Sequence, residues 1–247
     1  MKTIFITGCS SGFGLEIARY FLQRDRKVIA TMRTPRHDLL PASPHLRILP
    51  LDVADAHSIQ AAVEAAGPVD VLVNNAGIGN LGALEAQPMA QVRELFETNT
   101  LGSIAMTQAF IPQMRARGQG MVINVTSSVT LRSLPLLAVY TASKAAINAF
   151  TESLALELAP LGVQVRLVLP GRSPQTRFAE NARARMEASV PEPYAALAAQ
   201  VFENFQAATQ LTYAEDVAEA VWQAANDPKA PMRIPAGEDA REWAKAG

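Results

Sequence analysis

Tyr140 and Lys144 stand four residues apart near the start of the helical stretch Ala138–Ala159, a separation that puts both side chains on one helix face. A tyrosine hydroxyl titrates at about 10, so exchanging a proton near neutrality requires a shift of roughly three units, or about 4 kcal/mol. One ammonium at about 4 Å supplies on the order of 4 kcal/mol at an effective dielectric of about 20. The pair therefore has the magnitude needed for an acid/base couple. Taken alone, Y-x-x-x-K is a frequent accident on helices. Other small polar residues accompany it: Asn74-Asn75-Ala76-Gly77, Asn99, Thr126-Ser127-Ser128 and Pro170-Gly171.

The elements that must position these residues are legible as short apolar runs alternating with longer stretches of helical period. Lys2–Thr7, Lys27–Thr31, Leu46–Leu51, Val69–Val73, Met121–Val125, Val163–Leu169 and Met232–Ile234 read as strands. Most are solidly apolar, as strands covered on both faces are. Leu15–Gln23, Ser58–Ala66, Gln91–Arg117, Ala138–Ala159 and Tyr213–Ala225 read as helices. Strand and helix in strict alternation imply an α/β fold, a Rossmann-type doubly wound parallel sheet. No repeat or linker interrupts it, so residues 1–247 are expected to form a single domain. The polar groups named above then fall mostly at strand ends, on the sheet edge where such folds bind ligands. Residues 172–212 break the alternation and have no clear strand.

Between the first strand and first helix lies Thr7-Gly8-Cys9-Ser10-Ser11-Gly12-Phe13-Gly14. Glycines there let the chain turn tightly and bring backbone N–H groups to a pyrophosphate at a helix N-terminus. The spacing is G-x-x-x-G-x-G rather than G-x-G-x-x-G, and a structural loop is the other reading. At the end of the second strand Ala30-Thr31-Met32-Arg33 offers no acid for a ribose 2′-hydroxyl and supplies a guanidinium instead. Arg33 with the hydroxyls of Ser10 and Ser11 could hold a 2′-phosphate; the alternative is an ordinary solvated arginine. Asp52, with Val53 beside it, is a candidate for the adenine amine, or else an acid near a helix N-terminus.

These motifs in this order resemble the short-chain dehydrogenase/reductase family in its single-domain branch, over Met1 to Gly171. Within it the chain most resembles 17β-hydroxysteroid and retinol dehydrogenase-like members, through TGCSSGFG, the Thr-Met-Arg strand end and the Arg233–Ala240 tail. The resemblance implies an NADP(H)-dependent oxidoreductase interconverting a ketone or aldehyde and an alcohol. It implies that Tyr140 exchanges the proton, that Lys144 lowers its pKa (helped by the positive nicotinamide) and binds the nicotinamide ribose, and that Asn99 holds a water of the proton relay. The resemblance further implies that Ser127 polarises the substrate oxygen; it lies three after Asn124 and thirteen before Tyr140, both family spacings, with Ser128 as the alternative. Gly8, Ser10, Ser11, Gly12, Phe13, Gly14, Arg33, Asp52, Val53, Asn75, Ala76, Gly77, Tyr140, Lys144, Pro170, Gly171 and Thr176 become the expected cofactor contacts. Thr176 departs from the pattern: the family's threonine falls where Gln175 stands, which suggests a one-residue insertion. The helices Gln91–Arg117 and Ala138–Ala159 are the family's usual dimer faces, so a homodimer or homotetramer is expected.

Composition narrows the remaining choices. A net charge of −1 gives no long-range pull toward nucleic acid or an anionic membrane. The single cysteine, Cys9, suits a reducing, cytoplasmic setting and reads as a packing residue. No apolar run approaches the ~20 residues of a membrane helix. His37, His45 and His57 are scattered without ligand spacing, so no metal is expected. In residues 172–212 two apolar stripes recur at helical spacing: Phe178, Ala182 and Met186, then Tyr194, Leu197, Ala198, Val201, Phe202 and Phe205. Leu131, Leu134, Leu136 and Leu137 could face them, which would give a small apolar carbonyl or alcohol substrate; the other reading is that the stripes only pack this segment down, as a lid. Arg172 and Arg177 are anion contacts if the substrate is instead a keto acid. Two other functions stay open, a non-catalytic NADP(H)-binding regulator and a ketoreductase of carrier-bound acyl chains docking on Arg115 and Arg117.

Overall fold

The computed structural model describes residues 1–174, 176 and 190–246. Gln175, Arg177 and the stripe Phe178, Ala182 and Met186 lie outside the described residues.

Seven strands form one parallel sheet in the order β3-β2-β1-β4-β5-β6-β7. They are β1 (Thr3–Ile6), β2 (Lys27–Met32), β3 (Leu46–Pro50), β4 (Val71–Asn74), β5 (Gly120–Val125), β6 (Val163–Pro170) and β7 (Arg233–Ala236). The alternation of side chains along each strand explains why most of these runs are largely apolar. Ile4 and Ile6 of β1, Val71 and Val73 of β4, and Met121, Ile123 and Val125 of β5 enter one core, packed on α1 (Gly12–Leu22) and α7 (Ala214–Asn226). Phe5, Leu72 and Val122 enter the other, under α2 (Ala56–Ala66), α4 (Gly102–Ala116) and α5 (Ala138–Leu158). Phe5 meets Phe110 of α4 with ring centroids 4.9 Å apart. In the middle of the sheet a residue at either phase is buried, so period-2 patterning is weak there, whereas the outer strand β3 and the strand starts keep exposed polar residues such as Arg47 and Gln164.

Three elements differ from expectation. Helix α1 begins at Gly12, three residues ahead of the apolar period, because its first turn is glycine and faces the sheet edge. The helix expected over Gln91–Arg117 comprises α3 (Met89–Phe96), a π turn at Glu97–Leu101, and α4. Single π turns inside helices occur often at functional sites, and this one contains Asn99. The Arg233–Ala240 tail is β7, a turn at Gly237 with φ +98°, and the start of α8 (Glu238–Ala246). That helix is too short and too polar for periodicity to announce. The described part of the lid contains α6 (Ala195–Ala207).

Candidate active site

The carboxyl ends of β1, β4, β5 and β6 converge on one edge, and the side chains there are tied to one another before any ligand is considered. The Thr7 hydroxyl accepts from the backbone N–H groups of Asn75 and Ala76, both at 2.9 Å. Asn75 returns its Nδ2 to the Thr7 carbonyl at 2.9 Å and the Gly8 carbonyl at 3.3 Å. Gly8 has φ +75°, and a Cβ on it would lie 2.8 Å from the Ala76 Cα, while one on Gly14 would lie 2.4 Å from the Gly8 carbonyl oxygen. The turn after β1 is thus locked against the turn after β4. Sequence reasoning singled out Asn75, Ala76 and the glycines but missed the Thr7 hydroxyl that fastens them.

Helix α1 starts from this turn with Ser11 at its N-cap, and no side chain caps it. Its first turn contains no acid. Open N–H groups and the positive end of the helix dipole face the ligand edge, which is the environment an anionic group requires. Ser10 and Arg33 are exposed there and Ser11 and Phe13 half-buried. Asp52 uses Oδ1 to accept from the Ala54 N–H at 3.0 Å, while Asp55 is the N-cap of α2. Val53 is buried, and a Cβ on Gly102 would lie 2.9 Å from its Cγ2. Thr176 is buried against the glycine turn, 3.6 Å from where a Gly12 Cβ would stand, and its hydroxyl donates to the Ser173 carbonyl at 3.0 Å.

Deeper along the edge, Asn99 is 1% exposed and its amide is committed. Oδ1 accepts from the Ile78 N–H at 2.8 Å, and Nδ2 donates to the Ile78 carbonyl at 2.9 Å and the Ser143 hydroxyl at 3.2 Å. Ser143 in turn donates to the Tyr140 carbonyl at 2.7 Å, a link that no motif revealed. The π turn brings Asn99 to this junction between α5 and the loop after β4. A Cβ on Gly77 would fall 3.1 Å from Asn99 Oδ1 and 3.3 Å from Lys144 Nζ, so only glycine leaves that space open. Lys144 Nζ donates to the Val125 carbonyl at 3.3 Å.

The Tyr140 hydroxyl is hydrogen-bonded with the Ser127 side chain. Ser127, the N-cap of a short 3-10 turn, also accepts from the Val129 N–H. Of the serine pair after β5, it is Ser127 that reaches the tyrosine. Burial pushes the Tyr140 hydroxyl up to about 12, against the opposing hydrogen bond from Ser127, and burial pushes the Lys144 ammonium down to about 8. In the chain by itself the direction at Tyr140 is opposite to the lowering expected from Lys144. Both groups are removed from water, and desolvation penalises each charged form by more than their separation returns.

A second node ties the lid to the body. Asp239 of α8 accepts from the Arg172 N–H at 2.6 Å and the Thr212 hydroxyl at 2.7 Å, and the Gly171 N–H donates to that same hydroxyl at 3.0 Å. Thr212 N–H donates to the Arg172 carbonyl at 2.9 Å. The Arg172 guanidinium is engaged by the carbonyls of Phe205, Ala208 and Gln210 and lies 5.2 Å from the Phe205 ring, so it braces the end of α6 and is not an anion contact. Of the α6 stripe, Tyr194, Ala198, Val201 and Phe202 pack with Leu81, Ala83 and Leu136, whereas Leu197 and Phe205 are exposed. Leu137 packs instead in the cluster of Tyr140, and Leu131 and Leu134 join neither.

Residues 2–187 match the family model for short chain dehydrogenase. The chain belongs to the short-chain dehydrogenase family. Retinol dehydrogenase 8 of Homo sapiens is 37% identical over 69% of this chain; the chain spans 58% of that relative's length. A serine dehydrogenase complexed with NADP+ superposes with a TM-score of 0.82 at 27% identity, covering 96% of this chain and 95% of that one. A short-chain dehydrogenase/reductase from Burkholderia phymatum in complex with NAD gives 0.81 at 26% identity, covering 95% and 88%. Family membership accounts for the seven-stranded parallel sheet. Among the described residues no helix is long and apolar enough to cross a membrane.

Proposed function

We propose that the chain is an NADP(H)-dependent oxidoreductase interconverting a ketone or aldehyde and an alcohol, with Tyr140 as the proton-exchanging group. The observation that carries this reading is the hydrogen bond between the Tyr140 and Ser127 hydroxyls on the ligand edge. Two hydroxyls held this close can, on exchanging their mutual hydrogen bond for a substrate, both donate to one substrate oxygen, which polarises a carbonyl and stabilises the alkoxide that develops from it. A tyrosine kept protonated by burial is the acid that reduction requires. Oxidation of an alcohol requires it as phenolate, and there the Lys144 ammonium has its use. Asn99 positions the loop after β4 through both polar atoms of the Ile78 backbone.

A nicotinamide cofactor suits the open N-terminus of α1 and the space preserved by Gly77; when bound it supplies the hydride. Gly8, Ser10, Ser11, Gly12, Phe13 and Gly14 would receive its pyrophosphate, with Arg33 on the 2′-phosphate and Asp52 and Val53 at the adenine. Asn75, Ala76 and Gly77 would line the cleft, Tyr140 and Lys144 would meet the nicotinamide ribose, and Pro170, Gly171 and Thr176 would flank the ring. Leu81, Ala83 and Leu136 pack against α6 itself, so that stripe serves to hold the segment down, and an uncharged, largely apolar substrate beside it is part of this proposal. Of the two arginines on which a carrier protein would dock, Arg117 is held by its guanidinium donating to the Gln113 side chain and the Val69 carbonyl, and only Arg115 is exposed.

The test is NADPH-dependent reduction of a series of ketones by the wild type and by Tyr140→Phe, which removes only the hydroxyl. The expected outcome is a loss of turnover of at least ~10²-fold with NADPH affinity little changed. Near-normal turnover would move the acid elsewhere.

A further inference from the structure

The loop after β4 carries two buried amides whose hydrogen-bonding capacity goes unused. Asn80 is 2% exposed, and neither its Nδ2 nor its Oδ1 has a partner. Gln87, 8% exposed, donates to the Gly82 carbonyl at 3.0 Å, yet its Oε1 is also without a partner. Leaving a buried polar group unsatisfied costs about 1–3 kcal/mol. Native interiors hold few such groups, and each requires a reason. Asn80 leaves both a donor and an acceptor unmet, a cost that an apolar side chain does not incur.

The position of Asn80 supplies the reason. Ile78, two residues earlier, packs with Tyr140, and Asn99 holds both polar atoms of its backbone. Two residues of chain span at most ~7 Å, so the Asn80 backbone lies within that distance of Ile78. Leu81, the next residue, packs with Ala83, Leu136 and the Ala198 and Phe202 side chains of α6. Along the chain Asn80 thus lies between a residue packed on the Tyr140 cluster and one packed under α6.

We infer that Asn80 recognises a second polar group of the substrate, a hydroxyl several bonds from the carbonyl that reacts at Tyr140. This rests on the Tyr140 reading above. An amide offers both a donor and an acceptor, and a hydroxyl is the small neutral group that satisfies both. A carboxylate would engage Nδ2 alone and an ammonium Oδ1 alone, each leaving the other atom buried and unmet. The substrate class is therefore a hydroxy-ketone or the matching diol, with its hydrocarbon part against Leu136 and α6.

Asn80→Leu replaces the amide with an apolar side chain of similar size. Two methyl ketones of equal chain length, with and without a terminal hydroxyl, are compared by kcat/KM with NADPH. They are also compared by dissociation constant in the Tyr140→Phe background with NADPH present, where binding is read without turnover. The wild-type and Tyr140→Phe chains are expected to favour the hydroxy-ketone at least tenfold, and Asn80→Leu to abolish that preference in both backgrounds. The melting temperature of Asn80→Leu should equal or exceed that of the wild type, which separates lost recognition from lost folding. The same preference in Asn80→Leu, or none in the wild type, overturns the inference. Absence of turnover with the binding preference intact overturns the Tyr140 reading and leaves Asn80 as the recognition residue.

Discussion

At the scale of single residues, two kinds of polar group occupy the ligand edge, and they behave differently. Asn99, Asn75 and Thr7 are spent on the protein's own backbone, so their contribution is to fix geometry. Ser10 and Arg33 are exposed and uncommitted to such ties, which is where selection among ligands can be exerted. A guanidinium facing a 2′-phosphate contributes about 1.5–3 kcal/mol as a charge-assisted contact. The wild type should accordingly bind NADPH roughly ten- to hundredfold more tightly than NADH. Arg33→Ala should bring the two affinities close together, chiefly by weakening NADPH. Titration of both cofactors into both chains checks this, and equal wild-type affinities would make Arg33 a solvated surface residue.

At the scale of elements, the π turn between α3 and α4 and the short helix α8 do what their sequences do not advertise. The first turns Asn99 toward the loop after β4; the second brings Asp239 to residues 67 and 27 positions away. Gly171 must be glycine beneath that carboxylate, since a Cβ there would lie 2.1 Å from Asp239 Oδ1. Arg172 and Thr212, the two ends of the lid, are therefore clasped to each other and to α8. Asp239→Asn keeps the volume but can accept only one of the two hydrogen bonds, turning an NH2 toward the other donor. The expected cost is about 1–3 kcal/mol, or roughly 2–4 °C of melting temperature per kcal/mol in a chain of this size. Because the clasp holds the lid rather than the glycine turn, KM for the carbonyl substrate should rise more than the dissociation constant for NADPH. Equal effects on both would assign Asp239 to general stability alone.

At the scale of the whole molecule, three buried titratable groups set the alkaline behaviour of the fold. Burial raises Cys9 from 9.0 to about 12 and Tyr140 from 10.0 to about 12, and lowers Lys144 from 10.5 to about 8. The folded chain keeps the protons of Cys9 and Tyr140 where the unfolded chain releases them. Their contribution is thus complete below pH 9 and lost as pH rises through 9 to 12. Lys144 acts in the opposite sense: the unfolded chain holds its proton up to 10.5 and the folded chain loses it near 8, so stability from this group rises between those values. The two effects oppose one another from pH 9 to 10.5, and above that only the loss remains. Urea unfolding at pH 7, 9 and 11 should show the decline concentrated in the last interval, and Cys9→Ala should make it smaller. A decline that begins below pH 9, or one unchanged in Cys9→Ala, would contradict this balance. The parallel sheet was legible in the sequence itself: most of its runs, such as Lys27–Met32 and Val71–Asn74, are largely apolar rather than alternating, as strands covered on both faces are, whereas the order of the strands came only from the fold. The Tyr140–Lys144 spacing and the glycine turn were equally legible, being local patterns at fixed offsets. Ser127 was preferred over Ser128 on its spacing to Asn124 and Tyr140, but its hydrogen bond to the tyrosine, the clasp of Thr7 on the loop after β4 and the Asp239 node were decided only by tertiary structure, because hydrogen bonds between residues distant in sequence leave no period. Nor could spacing reveal that Tyr140 rises instead of falling, since desolvation depends on what the completed fold excludes from water.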